Sequence, residues 1–170
     1  MQKDDGFTLI ELLIVVTVIG IIAAIGIPGL LRARQSGNEA SAVGSVRSMT
    51  SGQTAFASSC GGGGYAETLA ALLTGAPGGP PFVSPDVAPV KSGYAIANTG
   101  RGGVALAAGA TCNAVADSRG GYLVTATPLS LGSTGQRSFG SDEQGTIYQD
   151  RTGAVLTAPL VAGGNISTLQ

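Results

Sequence analysis

The pattern of apolar and polar positions divides the chain into an apolar N-terminal run and a more mixed body. From Phe7 to Leu31 the only ionisable residue is Glu11, and Leu, Ile, Val, Ala and Gly dominate the rest. A helix of that length is about 37 Å long, which is enough to cross the hydrocarbon core of a bilayer. The pattern therefore predicts a transmembrane helix over residues 7–31.

Glu11 lies only a few residues inside this run, where an ionised carboxylate is costly. Insertion scales put the cost at roughly 2.5–3.5 kcal/mol, so the charge needs a partner or a function. A secretory signal peptide does not fit, because the six residues before the run hold one lysine and two aspartates and no A-x-A cleavage site stands out where the run ends, at Pro28–Arg32. A permanent membrane anchor accounts for the apolar residues but leaves Glu11 without a partner.

Beyond Leu31 the pattern becomes amphipathic and predicts that the helix continues over residues 32–58. Arg32 and Arg34 suit a helix that leaves a membrane surface, and apolar residues then recur at helical spacing. The apolar stripe, which we expect to form core, consists of Val43, Val46, Met49 and Phe56. We expect the helix to end before the glycine run 61–64, which we interpret as a linker.

The rest of the chain predicts loops followed by an antiparallel sheet. Residues 59–92 are rich in Gly and Pro and contain one short helical pattern, from Tyr65 to Leu73. Residues 93–170 have the pattern of a β-meander, with a tail from Ala158 that we expect to be loosely held. The candidate strands are Gly93–Thr99, Gly103–Ala107, Gly121–Thr127, Gln136–Gly140 and Thr146–Gln149, with a hairpin turn at Ser141–Gly145. The predicted fold class is α+β, with a long N-terminal helix packed on a C-terminal antiparallel sheet.

Composition narrows the classes of function. The chain has no histidine, which is the commonest general base and metal ligand, and no nucleophile lies near a base, so we predict no catalytic site and no enzyme activity. A net charge of −1 gives no excess of basic residues to bind nucleic-acid phosphates, so we expect no direct nucleic-acid partner. Cys60 and Cys112 lack metal-ligand spacing, so in an exported body they predict a single disulfide.

The stretch "GFTLIELLIVVTVIGIIAAIGIP" resembles the class III signal of type IV prepilins and of type II secretion pseudopilins. That pattern is a short hydrophilic leader that ends in glycine, then phenylalanine, then a retained apolar helix with glutamate as its fifth residue. The resemblance implies that a prepilin peptidase removes the leader, residues 1–6, by cleavage after Gly6. It also implies N-methylation of Phe7 and a pilin-like α+β fold.

The resemblance gives Glu11 a function in a filament. The new amino terminus at Phe7 of one copy can lie beside Glu11 of a neighbour, so that each buried charge satisfies the other and fixes the axial register. Gly20 and Pro28 weaken the helix, because Gly has low helix propensity and Pro lacks a donor. In type IV pili, which this chain resembles, the region between such positions loses helicity in the filament.

Three functions follow as expectations. The first is a type IV pilin, which waits in the bacterial inner membrane as a single-pass precursor. An assembly ATPase and a platform protein then polymerise it into a homopolymer outside the cytoplasm that serves adhesion, motility or DNA uptake. The second is a type II secretion pseudopilin of a periplasmic filament; such proteins bind calcium, for which Asp142, Glu143 and Asp150 are weak candidate ligands, and no other cofactor is expected. The third is a permanently anchored envelope protein.

Overall fold

The computed structural model describes residues 7–169, which fall into two compact units that divide between Arg34 and Gln35. Residues 1–6, with the predicted cleavage site after Gly6, lie outside the described residues, as does Gln170. The helices are α1 (Leu9–Ser59), α2 (Leu69–Leu73) and a short 3₁₀ turn (Ala108–Ala110). The strands are β1 (Tyr65–Ala66), β2 (Val90–Lys91), β3 (Tyr94–Leu106), β4 (Ser118–Pro128), β5 (Ser138–Asp142), β6 (Ile147–Asp150) and β7 (Ile166–Thr168).

The first unit consists of the apolar part of α1. Both Gly20 and Pro28 lie inside the helix, so α1 is continuous at both residues in the single chain. Pro28 removes one backbone donor, and the remaining hydrogen bonds of a long helix tolerate that loss. Loss of helicity in an assembled filament stays a prediction. By length and hydropathy α1 can cross a membrane, and its most apolar window has no residue buried within the chain.

The second unit is an antiparallel sheet covered on one face by the rest of α1. Strands β2 to β7 are neighbours in chain order, and β1 pairs with β4. The predicted stripe packs against the sheet: Val46, Met49 and Phe56 are fully buried and Val43 is partly buried against the same core. The sheet contributes Tyr94, Ile96, Tyr122, Val124, Ala126 and Phe139 to that core. The predicted α+β fold, a long helix on an antiparallel sheet, is confirmed.

The strand boundaries differ from the predicted ones where glycine was interpreted as a turn. The two predicted strands Gly93–Thr99 and Gly103–Ala107 form one strand, β3, because the residues between them are absorbed by a shift of register rather than a reversal. Gly102, with a φ of 74°, makes that irregularity possible. The predicted hairpin turn also begins later, since Ser141 and Asp142 still belong to β5.

Two segments that were predicted to be irregular carry structure. The tail was expected to be loosely held, but β7 pairs with β6, and Leu160 is buried against Tyr148 and Leu156. Within the predicted helix Tyr65–Leu73, the first two residues form β1, and helix α2 starts after Thr68. The Thr68 hydroxyl caps that helix by accepting a hydrogen bond from the Ala71 N–H at 3.3 Å.

The glycine run 61–64 is a packed connection rather than a linker. A Cβ atom on Gly61 would lie 2.7 Å from the Phe56 ring, and one on Gly64 would lie 2.6 Å from Ser118 Oγ. The Ser118 hydroxyl donates a hydrogen bond to the Gly61 carbonyl at 2.8 Å. Residues 61 and 64 therefore require glycine because the backbone passes too close to its neighbours for a side chain, whereas Gly62 and Gly63 have positive φ angles of 60° and 91°.

Candidate assembly site

The first turn of α1 is closed by a capping box built from Thr8 and Glu11. The Glu11 N–H donates to Thr8 Oγ1 at 3.3 Å, and Glu11 Oε2 accepts from the Thr8 N–H at 3.3 Å and from its hydroxyl at 3.1 Å. This reciprocal arrangement satisfies donors that the start of a helix leaves unpaired. The pattern Thr-x-x-Glu before an apolar run is its sequence signal, and sequence reasoning that treated Glu11 only as a charge missed it.

Glu11 has polar neighbours in the single chain but no cation. The four ion pairs among the described residues do not include it, and its contacts with Thr8 are exposed. Phe7, the predicted new N-terminal residue, is 89% exposed. The structure thus places Phe7 and Thr8 directly before α1 and Glu11 in its first turn, where they form an accessible polar end of an apolar rod.

The side of this rod is apolar and uncovered by the described chain. Each of its large hydrophobic residues is about half exposed or more: Leu9, Ile10, Leu12, Leu13, Ile14, Val15, Val16, Val18, Ile19, Ile21, Ile22, Ile25, Ile27, Leu30 and Leu31. Thr17 does not break the surface, because its hydroxyl donates to the Leu13 carbonyl at 2.7 Å within the helix. An apolar surface of this extent marks a membrane or protein contact.

A second polar site, which sequence reasoning missed, joins α1 to the segment before β5. The Glu39 carboxylate accepts hydrogen bonds from the Gln136 N–H at 2.9 Å and the Arg137 N–H at 3.3 Å. It also accepts from Arg137 Nε at 2.9 Å and from a terminal guanidinium nitrogen at 2.5 Å. Arg137 continues the network by donating to Gln149 Oε1 at 2.8 Å.

The balance of burial and charge sets the pKa of Glu39. Burial of the carboxyl raises its pKa, but hydrogen bonds from Arg137 and the Gln136 backbone, together with the positive charge of Arg137, outweigh that effect. The pKa therefore lies below its usual value, and Glu39 is ionised at neutral pH. No local signal in the sequence identifies this pair, because its members lie far apart in the chain.

An open cleft of about 320 Å³ lies beside this ion pair. Its lining combines three charged residues with small and apolar residues of α1, β5 and the C-terminal segment: Ser36, Glu39, Ala40, Val43, Gly44, Arg47, Arg137, Phe139 and Leu169. The cleft brings no catalytic pair together, since Glu39 is engaged with Arg137.

The three acidic residues considered for calcium have separate surroundings. Asp142 Oδ1 accepts from the Gln144 N–H at 3.2 Å, and Asp150 Oδ1 accepts from the Thr152 N–H and hydroxyl at 2.7 Å each. Glu143 is exposed on the turn between β5 and β6. Among residues 7–169, no group of three or more His, Cys, Asp or Glu side chains is placed to hold a metal ion.

Cys60 and Cys112 form a disulfide, as the sequence predicted, with Cα atoms 4.7 Å apart. The bond joins the residue after α1 to the segment that follows the 3₁₀ turn and closes a loop with a sequence separation of 52. A cross-link over that separation stabilises the folded unit by about 4 kcal/mol in the chain-entropy account. The Cys112 N–H also donates to the Cys60 carbonyl at 3.3 Å.

Comparison with known proteins supports the N-terminal pattern. The family model described as "Prokaryotic N-terminal methylation motif" matches residues 1–27. The chain is 56% identical over 39 residues to the type IV wide pilus major component PilA4 of Thermus thermophilus, a match that covers 23% of this chain and 30% of that protein. No solved structure matches the chain. The chain therefore carries the N-terminal methylation motif of prokaryotic pilins and pseudopilins, followed by a helix-on-sheet body.

Proposed function

We propose that this chain is a structural subunit of a type IV pilus-like filament. The observation that carries the proposal is the N-terminal methylation motif at the start of an apolar helix that nothing in the described chain covers. The match over 39 residues to a pilus component supports the same assignment. The proposed function is structural, because an apolar helix of this kind offers a packing surface and no catalytic groups.

The exposed apolar side chains of the helix have to be covered twice, first by lipid and then by other copies of the chain. Leaving its large side chains in water is unfavourable by roughly 1.5–3 kcal/mol for each fully exposed one, so the precursor sits in a bilayer as a single-pass protein of the inner membrane. After extraction the same side chains must be covered again, and copies of the same helix offer a matching apolar surface. An assembly ATPase and a platform protein are the partners proposed for this transfer.

The polar N-terminal end of the helix fixes the axial offset at which neighbouring copies pack in the filament. Prepilin peptidase cleavage after Gly6 exposes a new amino group on Phe7, which is then methylated. Thr8 supplies only neutral donors to Glu11, and a carboxylate in apolar surroundings needs an opposite charge nearby. The amino terminus of a neighbouring copy is that charge, so a subunit that docks out of register leaves two unpaired buried ions.

The pilus is favoured over a type II secretion pseudopilus by the acidic residues. The secretion alternative drew on a calcium site at Asp142, Glu143 and Asp150, and two of those carboxylates already accept hydrogen bonds from their own turns. The proposal therefore includes no calcium site. It covers a filament on the outside of the cell that serves adhesion, motility or DNA uptake.

Two substitutions at Glu11 test the charge pair separately from the helix cap. Glu11→Gln removes the charge but keeps an acceptor for the capping box, whereas Glu11→Ala removes both. Since an unpaired buried charge costs about 3–5 kcal/mol, both variants should insert in the membrane normally and yield at least about a hundredfold fewer filaments. Filament yield is measured by electron microscopy and immunoblotting of the sheared fraction.

Thr17→Val is the matched control, because it removes a polar group from the same helix without touching the capping box. This variant should assemble like the unaltered protein. If Glu11→Gln also assembles normally, Glu11 acts only as a helix cap and the proposed charge pair is wrong.

A further inference from the structure

One end of the second unit carries an exposed aliphatic surface that the proposed filament core does not use. Two loops form this end, which we call the loop end: residues 129–137, between β4 and β5, and residues 151–155, after β6. Leu129, Leu131 and Val155 are 57%, 59% and 64% exposed there.

Contacts between the loops make the loop end one surface. A Cβ atom on Gly153 would meet the Leu131 side chain and would lie 3.5 Å from Pro128 Cγ, so the second loop lies directly against the first. The Ser138 hydroxyl donates to the Ala154 carbonyl, and the Leu129 N–H donates to the Gly93 carbonyl at 2.9 Å. The exposed aliphatic side chains therefore stand on a surface that is built from both loops.

The first loop is tied to the start of the helix in this unit. Gln35 Nε2 donates to the Gly132 carbonyl at 2.5 Å, and Asn38 Nδ2 donates to the Thr134 carbonyl at 2.9 Å. Gln35 is four residues beyond Leu31, the last residue of the apolar run, and both lie in α1, where four residues rise about 6 Å. Each headgroup region of a bilayer is about 5–7 Å thick. The loop end is therefore within reach of the lipid headgroups when residues 7–31 span the membrane.

The charges of the loop end suit anionic lipid. Neither loop contains Asp or Glu, and Arg151 is exposed on the second loop. Of two nearby carboxylates, Glu39 is paired with Arg137, and Asp150 is buried and accepts hydrogen bonds from Thr152. Arg32 and Arg34 precede this unit in the chain and add positive charge close to the end of the apolar run. Exposed aliphatic residues beside arginines are the combination that binds a phospholipid surface.

We propose that the loop end is a membrane-docking surface of the precursor, which rests Leu129 and Leu131 in the headgroup region of anionic phospholipids. The proposal rests on the membrane-spanning precursor of the proposed function. Docking holds the folded unit against the bilayer before assembly, and extraction of the subunit has to release it.

Tryptophan fluorescence tests this contact in the full chain, because the protein has no tryptophan of its own. Leu131→Trp places the probe on the loop end, with Leu129→Trp as a second position in case the first variant misfolds. Val104→Trp is the control, because Val104 is 52% exposed but far from the loop end. It pairs with Arg119 and lies ten residues beyond the start of β3, which pairs with Pro128. Each variant is reconstituted in phosphatidylcholine–phosphatidylglycerol vesicles, with or without lipids that carry bromine near the headgroup.

The expected result is that brominated lipid removes most of the fluorescence of Leu131→Trp and little of that of Val104→Trp. Equal quenching of the two variants overturns the proposal. A blue-shifted Leu131→Trp spectrum that brominated lipid does not quench also overturns it, because a second copy of the chain then covers the loop end. Flotation of the same samples separates the failures: a chain that does not float with the vesicles contradicts the membrane-spanning precursor itself.

Discussion

Glu39 is the residue on which the attachment of α1 to the start of β5 depends. Its side chain is only 9% exposed, and all the hydrogen bonds that its carboxylate accepts come from Gln136 and Arg137. Hydrogen bonds to a charged group are worth about 1.5–3 kcal/mol each, more than neutral ones. Removing the charge should therefore loosen this end of the second unit.

Glu39→Gln should lower the free energy of unfolding by about 2 kcal/mol at neutral pH, measured by urea unfolding of the full chain in detergent. The pKa of Glu39 is lowered on folding, so the stability it contributes is complete above its ordinary value of 4.5 and is lost as the pH falls through the lower folded value. The difference between the two proteins should therefore shrink below pH 4.5.

Asp86→Asn is the control for this comparison, because Asp86 pairs with Lys91 at an exposed position. It should leave the urea midpoint unchanged, as is usual for surface ion pairs. A difference between Glu39→Gln and the unaltered protein that stays constant from pH 7 to pH 3 would show that the ionised carboxylate is not what stabilises this contact.

Gln53 is the other polar residue that the core depends on, and it lies fully buried on α1. Its amide donates to the Ala66 carbonyl at 3.0 Å and to Asn98 Oδ1 at 2.8 Å, and its carbonyl accepts from the Ala66 N–H at 2.7 Å. Asn98 closes the network by donating to the same Ala66 carbonyl at 2.9 Å. The Gln53 amide thus supplies to the two-residue strand β1 the hydrogen-bond partners that a neighbouring strand would otherwise supply on the side facing α1.

At the scale of elements, Gly52 and Gly44 lie on different faces of α1, one packed against a loop and the other open. A Cβ atom on Gly52 would contact Val83 and would lie 2.9 Å from the Phe82 carbonyl oxygen, so this glycine allows the loop before β2 to lie against the helix. Gly44 has no neighbouring atom within 4 Å of the same position. Only the first of these glycines is explained by packing in the single chain.

The substitutions Gly52→Ala and Gly44→Ala should therefore have opposite effects on stability. Gly44→Ala should raise the free energy of unfolding by about 0.5–1 kcal/mol, since alanine favours the helix and meets no other atom. Gly52→Ala should lower it by about 1–3 kcal/mol, because the methyl group displaces the backbone at Phe82. Chemical denaturation of both variants measures the difference, and equal effects would contradict the packing of this loop on α1.

The sequence predicts those elements whose signal is local. The apolar run, the stripe from Val43 to Phe56 and the disulfide all follow from composition and spacing, and the structure agrees with them. The bulge in β3, the strand β7 and the packed glycine run do not, because each depends on what a distant segment places beside it. The Glu39–Arg137 pair was missed for the same reason, since a lone glutamate on a helix usually faces water.

At the scale of the whole molecule, the two units have different requirements. Residues 35–169 contain a hydrophobic core, a seven-stranded sheet and a disulfide. Residues 7–34 contain a helix whose apolar side chains the described chain leaves open. Residues 35–169 form a folded body with its own core, whereas residues 7–34 need lipid or other copies to cover their side chains. That division is what a subunit stored in a membrane and later assembled requires.

In the proposed function, cleavage and methylation at the N-terminus prepare the membrane-spanning helix for packing in the filament, and this processing can be measured directly. The intact mass of the protein should be determined by mass spectrometry in filaments sheared from cells and in the membrane fraction. The proposed function predicts that the sheared fraction contains the chain without residues 1–6 and with one added methyl group on Phe7. A chain that retains residues 1–6 and occurs only in the membrane would contradict it.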